Sequence, residues 1–220
     1  MILARKKAEA KATLHKAIQE SSRPLVALSG GKDSLVVAHM AHQLGVRDFI
    51  CETSFYFRPA LDHIKEIVEK MGIDAEYRSS LNVRWLKNNR KVVFASDTKI
   101  RSWGFAVRQQ ATVKRYAKEI NADLQIFGRR TQENSVKSSL YQTKAGMQCH
   151  PIRQWRHEDV WQYLTEHNIP KPMIYDTEFG RIEGNGPFYI LNEAHCGGID
   201  KAWEIVSGID SQYHKGMFDD

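Results

Sequence analysis

Two rhythms of apolar positions alternate along this chain. Short solid apolar runs give way to longer stretches in which apolar positions recur at helical spacing. Pro24–Leu28 is solid, apolar and bounded by turn residues, which predicts a buried strand. Residues 33–44 follow as a helix with Gly45 as its stop signal. Residues 48–53 predict a second strand. Residues 59–71 predict a helix that opens on Pro59 and stops at Gly72. A weaker third strand falls at 75–78, a long helix at 103–120, another buried strand at Leu124–Phe127 and a helix at 157–167. In that last helix Val160, Trp161 and Leu164 share one face, and helical spacing marks them, with Trp155, as core. Strands alternating with helices predict an α/β fold with a parallel sheet of about five strands flanked by helices.

The ends of the chain differ from its middle. Residues 4–20 predict a helix with a weak stripe of Leu14, Ala17 and Ile18 and a charged remainder, so 1–22 is expected as an N-terminal helix. The stretch 129–148 is polar and lacks periodicity, which predicts a long loop. Beyond residue 180 glycines punctuate the chain at Gly184, Gly186, Gly197, Gly198 and Gly208. The expected organisation is therefore a main α/β domain over 23–180 with a Gly-rich C-terminal extension at 181–220.

Composition narrows the class. No run of eighteen apolar residues occurs and the first twenty residues lack a secretory apolar block, so the expectation is a cytoplasmic protein without a membrane span. Three widely spaced cysteines, Cys51, Cys149 and Cys196, do not form a disulfide framework. No Cys-x-x-Cys pair exists, so no iron–sulfur cluster is expected within one chain. The net charge of +6 suits a polyanionic ligand, and it equally suits simple solubility. Lys99, Arg101, Arg108, Lys114 and Arg115 flank Trp103. Nucleic acid is one reading of that cluster, but local phosphate binding with solvated charge is favoured.

The segment Ser29-Gly30-Gly31-Lys32-Asp33-Ser34 carries the most chemistry. A strand runs into two glycines and then into a helix start, which offers N–H groups and a positive dipole end to an anion. Ser29 and Ser34 add hydroxyl groups, Lys32 adds a point charge, and Asp33 is a candidate Mg²⁺ ligand beside phosphate oxygens. The spacing is not that of a Walker loop, and the Rossmann Gly-x-Gly-x-x-Gly is absent. This hexapeptide after a buried strand resembles the PP-loop of the adenine nucleotide α-hydrolase superfamily. That resemblance implies a HUP/Rossmann-like fold and an adenine nucleotide as ligand: ATP, adenylyl sulfate (APS) or its 3′-phosphorylated form (PAPS).

A second set of motifs is similar to the phosphoadenosine-phosphosulfate reductase family: Gly128-Arg129-Arg130, then Pro151-Ile152-x-x-Trp155, then Glu158-Asp159-Val160-Trp161-x-Tyr163-Leu164, then Pro170, Pro172, Tyr175 and Asp176. The resemblance implies that Gly128, Arg129 and Arg130 face the anionic end of the ligand, with Thr53 at a matching position after the second strand. It also implies a cysteine nucleophile near the C-terminus. Cys196, in Glu193-Ala194-His195-Cys196-Gly197-Gly198, is the candidate, with a thioredoxin-like protein as reductant. Two departures stand out. Glu52-Thr53-Ser54-Phe55 replaces the family's Asp-Thr-Gly, and the Leu-His that usually trails the cysteine is missing. Two alternatives therefore stay open. One is an ATP pyrophosphatase or adenylyltransferase in which Lys32 and Arg129 stabilise departing pyrophosphate. The other is a nucleotide-binding subunit that needs a partner subunit or a homo-oligomer.

Overall fold

The structure is a computed structural model that describes residues 2–53, 58–78, 110–132, 138–143 and 146–175, with positions 88, 89, 91, 97, 99, 100, 103 and 136. In chain order the described elements are α1 (Ile2–Gln19), β1 (Pro24–Leu28), α2 (Lys32–Gln43), β2 (Asp48–Glu52), α3 (Arg58–Lys70), β3 (Glu76–Arg78), α4 (Ala111–Glu119), β4 (Leu124–Phe127), β5 (Leu140–Thr143), β6 (Gly146–Cys149) and α5 (His157–Glu166), then a short 3₁₀ turn at Met173–Tyr175. The fold is α/β, as the alternation of strand and helix patterns requires.

The sheet has six strands in the order β3-β2-β1-β4-β6-β5. β1 pairs in parallel with β2 on one side, placing Val26 beside Phe49, and with β4 on the other, placing Val26 beside Ile126. β6 extends the parallel set beside β4, and β5 closes the edge antiparallel to β6. Leu25 and Ile50 on one face pack against Val113 and Ala117 of α4. Val26 and Leu28 alternate to the opposite face and are equally buried. The chain runs outward from β1 through β2 to β3, and the next strand, β4, lies on the other flank of β1. The carboxyl ends of β1 and β4 therefore flank a topological switch point, where open α/β sheets leave a crevice.

Several expectations need correction. The stretch 129–148 is not one long loop, because it contains the β5–β6 hairpin. β5 forms the sheet edge with β6 beside it, and apart from Cys149 their residues are not buried, so no solid apolar run announced the hairpin. The same hairpin supplies β5 and β6, and the sheet is mostly parallel, as expected, with β5 as its antiparallel edge strand. Trp161 is half-buried and donates its indole N–H to His157 Nε2, whereas Tyr163 takes the buried place beside Val160 and Leu164. The described part of the predicted 103–120 helix is α4, which stops at Asn121 with φ 56°.

The chain divides into two compact units. The first, Met1–Cys51, Glu66–Tyr77 and Val113–Lys171, carries the core of the sheet with α1, α2, α5 and most of α4. α1 buries Leu3, Ala10, Leu14 and Ala17, and it is tied to α5 by Lys6 on Asp159 and by Lys7 on Glu166 at 2.8 Å. The second unit takes in Glu52–Lys65, Arg78–Thr112 and Pro172–Asp220. Within it the Thr53 N–H donates to the Arg78 carbonyl at 2.9 Å, and the Met173 N–H donates to His63 Nδ1 at 3.0 Å.

Candidate functional site at the switch point

β1 ends at Leu28 and α2 begins at Lys32, so three residues must turn the chain from sheet to helix. Gly30 does so with φ 65°, a conformation that costs a residue with a Cβ 1–2 kcal/mol as a rough guide. Gly31 caps the helix in extended conformation. The loop is closed by its serines. The Ser34 hydroxyl donates to the Gly31 carbonyl at 2.8 Å, so its oxygen accepts from the Ser29 N–H at 3.1 Å and from the Ser29 hydroxyl at 3.2 Å. The first bond of the α2 ladder runs from Leu35 N–H to Gly31 carbonyl at 3.1 Å. The N–H groups before it stand outside that ladder, at the positive end of the helix dipole.

β4 delivers the second half of the site. Gly128 lies so close to α2 that a Cβ there would stand 2.5 Å from the Asp33 carbonyl carbon and 2.6 Å from the Ser34 nitrogen. The two arginines after it part company. Arg130 is buried and donates from Nε to Asp33 Oδ1, and from Nη1 to Gln132 Oε1 at 3.0 Å. Arg129 is half-buried, with its guanidinium carbon 4.8 Å from the Phe127 ring centroid. Burial pulls its pKa below the ordinary value, yet an arginine remains a cation at any physiological pH.

Lys32 is buried and its ammonium donates to Asp33 Oδ2 at 2.8 Å. Asp33 thus has one carboxylate oxygen engaged by Lys32 and the other by Arg130. Lys32, Arg129 and Arg130 outweigh the single carboxylate, so the crevice is electropositive. A magnesium ion held by Asp33 does not fit this arrangement, since it would have to displace a cation from either oxygen. Among the described residues no cluster of three His, Cys, Asp or Glu side chains suits a metal ion.

Of the residues the sequence singled out, Ser29, Gly30, Gly31, Lys32, Asp33, Ser34, Gly128, Arg129 and Arg130 come together at the ends of β1 and β4. Thr53 follows β2 in the second unit. Cys196 lies outside the described residues. Sequence reasoning did not place Cys149 and His150, which adjacent Cys-His pairs marked only as remote zinc candidates, on the β6 side of the crevice. His150 is fully buried directly after β6, between Phe127 and Tyr141, and its neighbourhood was hidden by reading 129–148 as loop. The other local signal was its place immediately before the Pro151-Ile152 motif.

A sheet in this order, with a glycine bend and an electropositive helix start at its switch point, defines an α/β protein of the adenine nucleotide α-hydrolase-like class. Residues 23–185 match the family model of the phosphoadenosine phosphosulfate reductase domain, and the chain belongs to that family. A crystal structure of phosphoadenylyl-sulfate (PAPS) reductase from Candida auris, in a phosphate complex, shares the fold. It aligns at TM-score 0.61 and 16% identity, over 76% of this chain and 84% of that one. An uncharacterized protein of Methanocaldococcus jannaschii is 26% identical over 162 residues, 70% of this chain. The chain spans 38% of the length of that relative. No helix among the described residues is long and apolar enough to cross a membrane.

Proposed function

We propose that this chain binds an adenine nucleotide at the switch point and reduces an adenylyl sulfate, APS or PAPS, to sulfite. The observation that carries the reading is the seating of Gly128 on the first turn of α2, which sets an arginine loop beside a glycine-bent helix start. In this reading the backbone N–H groups at the start of α2 hold the nucleotide phosphates, the Ser29 and Ser34 hydroxyls keep the bend in shape, and Lys32 supplies positive charge. Arg129, stacked over the Phe127 ring at the end of β4, takes the sulfate end. Arg130 works from behind, holding Asp33 and so the start of α2.

The chemistry needs a thiolate. Cys196 attacks the sulfur of the sulfonucleotide, and the bond from sulfur to the bridging oxygen breaks. The adenine nucleotide leaves with the electron pair, and a Cys–S–SO₃⁻ adduct remains. A second thiolate, from a thioredoxin-like protein, attacks the Cys196 sulfur. Sulfite departs and a mixed disulfide forms, so the thiols are oxidised as the sulfonate sulfur is reduced. His195 beside Cys196 favours the thiolate.

Two departures in the sequence favour a second reading. Glu52-Thr53-Ser54-Phe55 and the missing Leu-His after Cys196 depart from the reductase pattern, so the chain is alternatively an ATP pyrophosphatase or adenylyltransferase on the same loop, alone or as a partner-dependent subunit. Calorimetry with ATP, APS and PAPS, followed by product analysis, separates these. The reductase reading expects tightest binding of a sulfonucleotide and sulfite release that Cys196→Ser abolishes without loss of binding. Pyrophosphate release from ATP that resists thiol alkylation overturns it.

A further inference from the structure

Four side chains at the carboxyl edge of β4 and β6 form one stacked run. The Arg129 guanidinium lies over Phe127. The Phe127 and His150 rings are 5.6 Å apart with 20° between their planes, and His150 and Tyr141 are 5.4 Å apart at 19°. His150 is completely shielded from solvent.

The hydrogen bonds define the state of this imidazole. Tyr141 donates its hydroxyl proton to Gln148 Oε1 at 2.8 Å, with Gln148 turned so that its oxygen faces the hydroxyl. That hydroxyl therefore accepts from His150 Nε2 at 3.1 Å, and the ring proton sits on Nε2. His150 Nδ1 is left buried without a hydrogen-bond partner among the described residues. An apolar ring would fill the same place with no orphaned nitrogen, so packing alone does not account for a histidine here. Burial first, and then the charge of Arg129, pull its pKa down to about 4, so the ring is neutral at neutral pH. A charged ring in this run would repel the guanidinium that Phe127 attracts.

We infer that His150 is a positioning residue: held in plane by Tyr141 and stacked on Phe127, it stiffens the platform that holds Arg129 toward the anionic end of the ligand. This rests on the nucleotide-binding reading above, and adds to it a group that touches no ligand itself. A rigid platform matters because a long side chain loses rotamer entropy on binding, and an already-held guanidinium loses less.

The test is calorimetry of the full chain with two probes, AMP and adenylyl sulfate, which differ by the group that Arg129 faces. His150→Leu is expected to weaken adenylyl sulfate about fivefold to tenfold, the scale of a lost cation–π platform, with AMP unchanged. In an Arg129→Gln background the same substitution is expected to add nothing, because its effect runs through Arg129. Equal weakening of both probes, or of neither, overturns the positioning role while leaving the nucleotide reading intact. Wild-type protein that binds neither probe overturns both. If His150→Leu does not fold, Tyr141→Phe keeps the ring and removes only the hydroxyl that orients the imidazole. It is expected to weaken adenylyl sulfate selectively in the same sense, and an unchanged affinity there rejects the inference.

Discussion

Gly128 lies against the backbone of Asp33, so close that a Cβ at 128 would stand 2.5 Å from the Asp33 carbonyl oxygen. The end of β4 and the first turn of α2 are thereby locked together, and the glycine is needed for closeness of approach. Gly128→Ala is expected to cost about 1–3 kcal/mol, the range for overpacking a tight site. Urea denaturation reads the cost directly. The substitution also parts the two halves of the crevice, so weaker nucleotide binding is expected with it. Unchanged stability would show that the contact yields freely.

Asp33 stands between Lys32 and Arg130, both buried. Removing its charge strands two cations away from water, a loss of about 3–5 kcal/mol by analogy with broken buried pairs. Asp33→Asn should therefore lower the denaturation midpoint sharply, and Asp33→Asn with Arg130→Met should recover part of the loss. Because both carboxylate oxygens are engaged, nucleotide binding to the wild-type protein should persist in the presence of a chelator. Abolition by chelator would return Asp33 to the role of metal ligand.

Stability should fall on acidification before ordinary carboxylates titrate. Burial holds both His150 and His39 neutral in the folded chain, with values near 4 against 6.5 when unfolded. For His39 the neighbours His167 and His42 add to the burial effect. Between those limits the unfolded chain binds more protons, so stability is complete above about pH 6.5 and declines as pH falls toward 4. His150 alone contributes on the order of 3 kcal/mol to that decline. Denaturation midpoints across this range should drop less steeply in His150→Gln than in the wild type. Identical slopes would mean that the imidazole is already charged in the fold.

Thiol reactivity should separate the cysteines. Cys51 and Cys149 are completely buried, and burial pushes the Cys149 thiol up to about 12. Native protein treated with an alkylating reagent at neutral pH should carry no label on either, by mass spectrometry, until it is unfolded. In the reductase reading Cys196 is the thiol that labels natively, and nucleotide should slow its labelling. Native modification of Cys149 would contradict its burial at the end of β6.

Much of this was legible in the order of residues. β1 is a solid apolar run, and β4 is apolar but for the buried Gln125, because both faces of a central parallel strand are covered, and α2 and α5 carry stop signals or spaced apolar faces. The β5–β6 hairpin was not legible. Leu140–Thr143 is the edge strand and Gly146–Cys149 lies between it and β4, and apart from Cys149 their residues are not buried, which permits polar residues such as Gln142 and Gln148. The left-handed stops at Asn121 and Asn168 were equally silent, since asparagine marks many other turns.

The glycine bend, the serines that close it and the helix start behind it were determined by sequence alone. They lie within six consecutive residues, and short-range sterics and hydrogen bonding decide their shape. Only the tertiary structure decided that adjacent arginines would diverge, Arg130 to Asp33 97 residues away and Arg129 to the Phe127 face. The same holds for the gathering of His150 and Tyr141 beneath Arg129. Strand order and register bring those groups together, and they follow from long-range pairing of β1, β4 and β6 that no local pattern encodes.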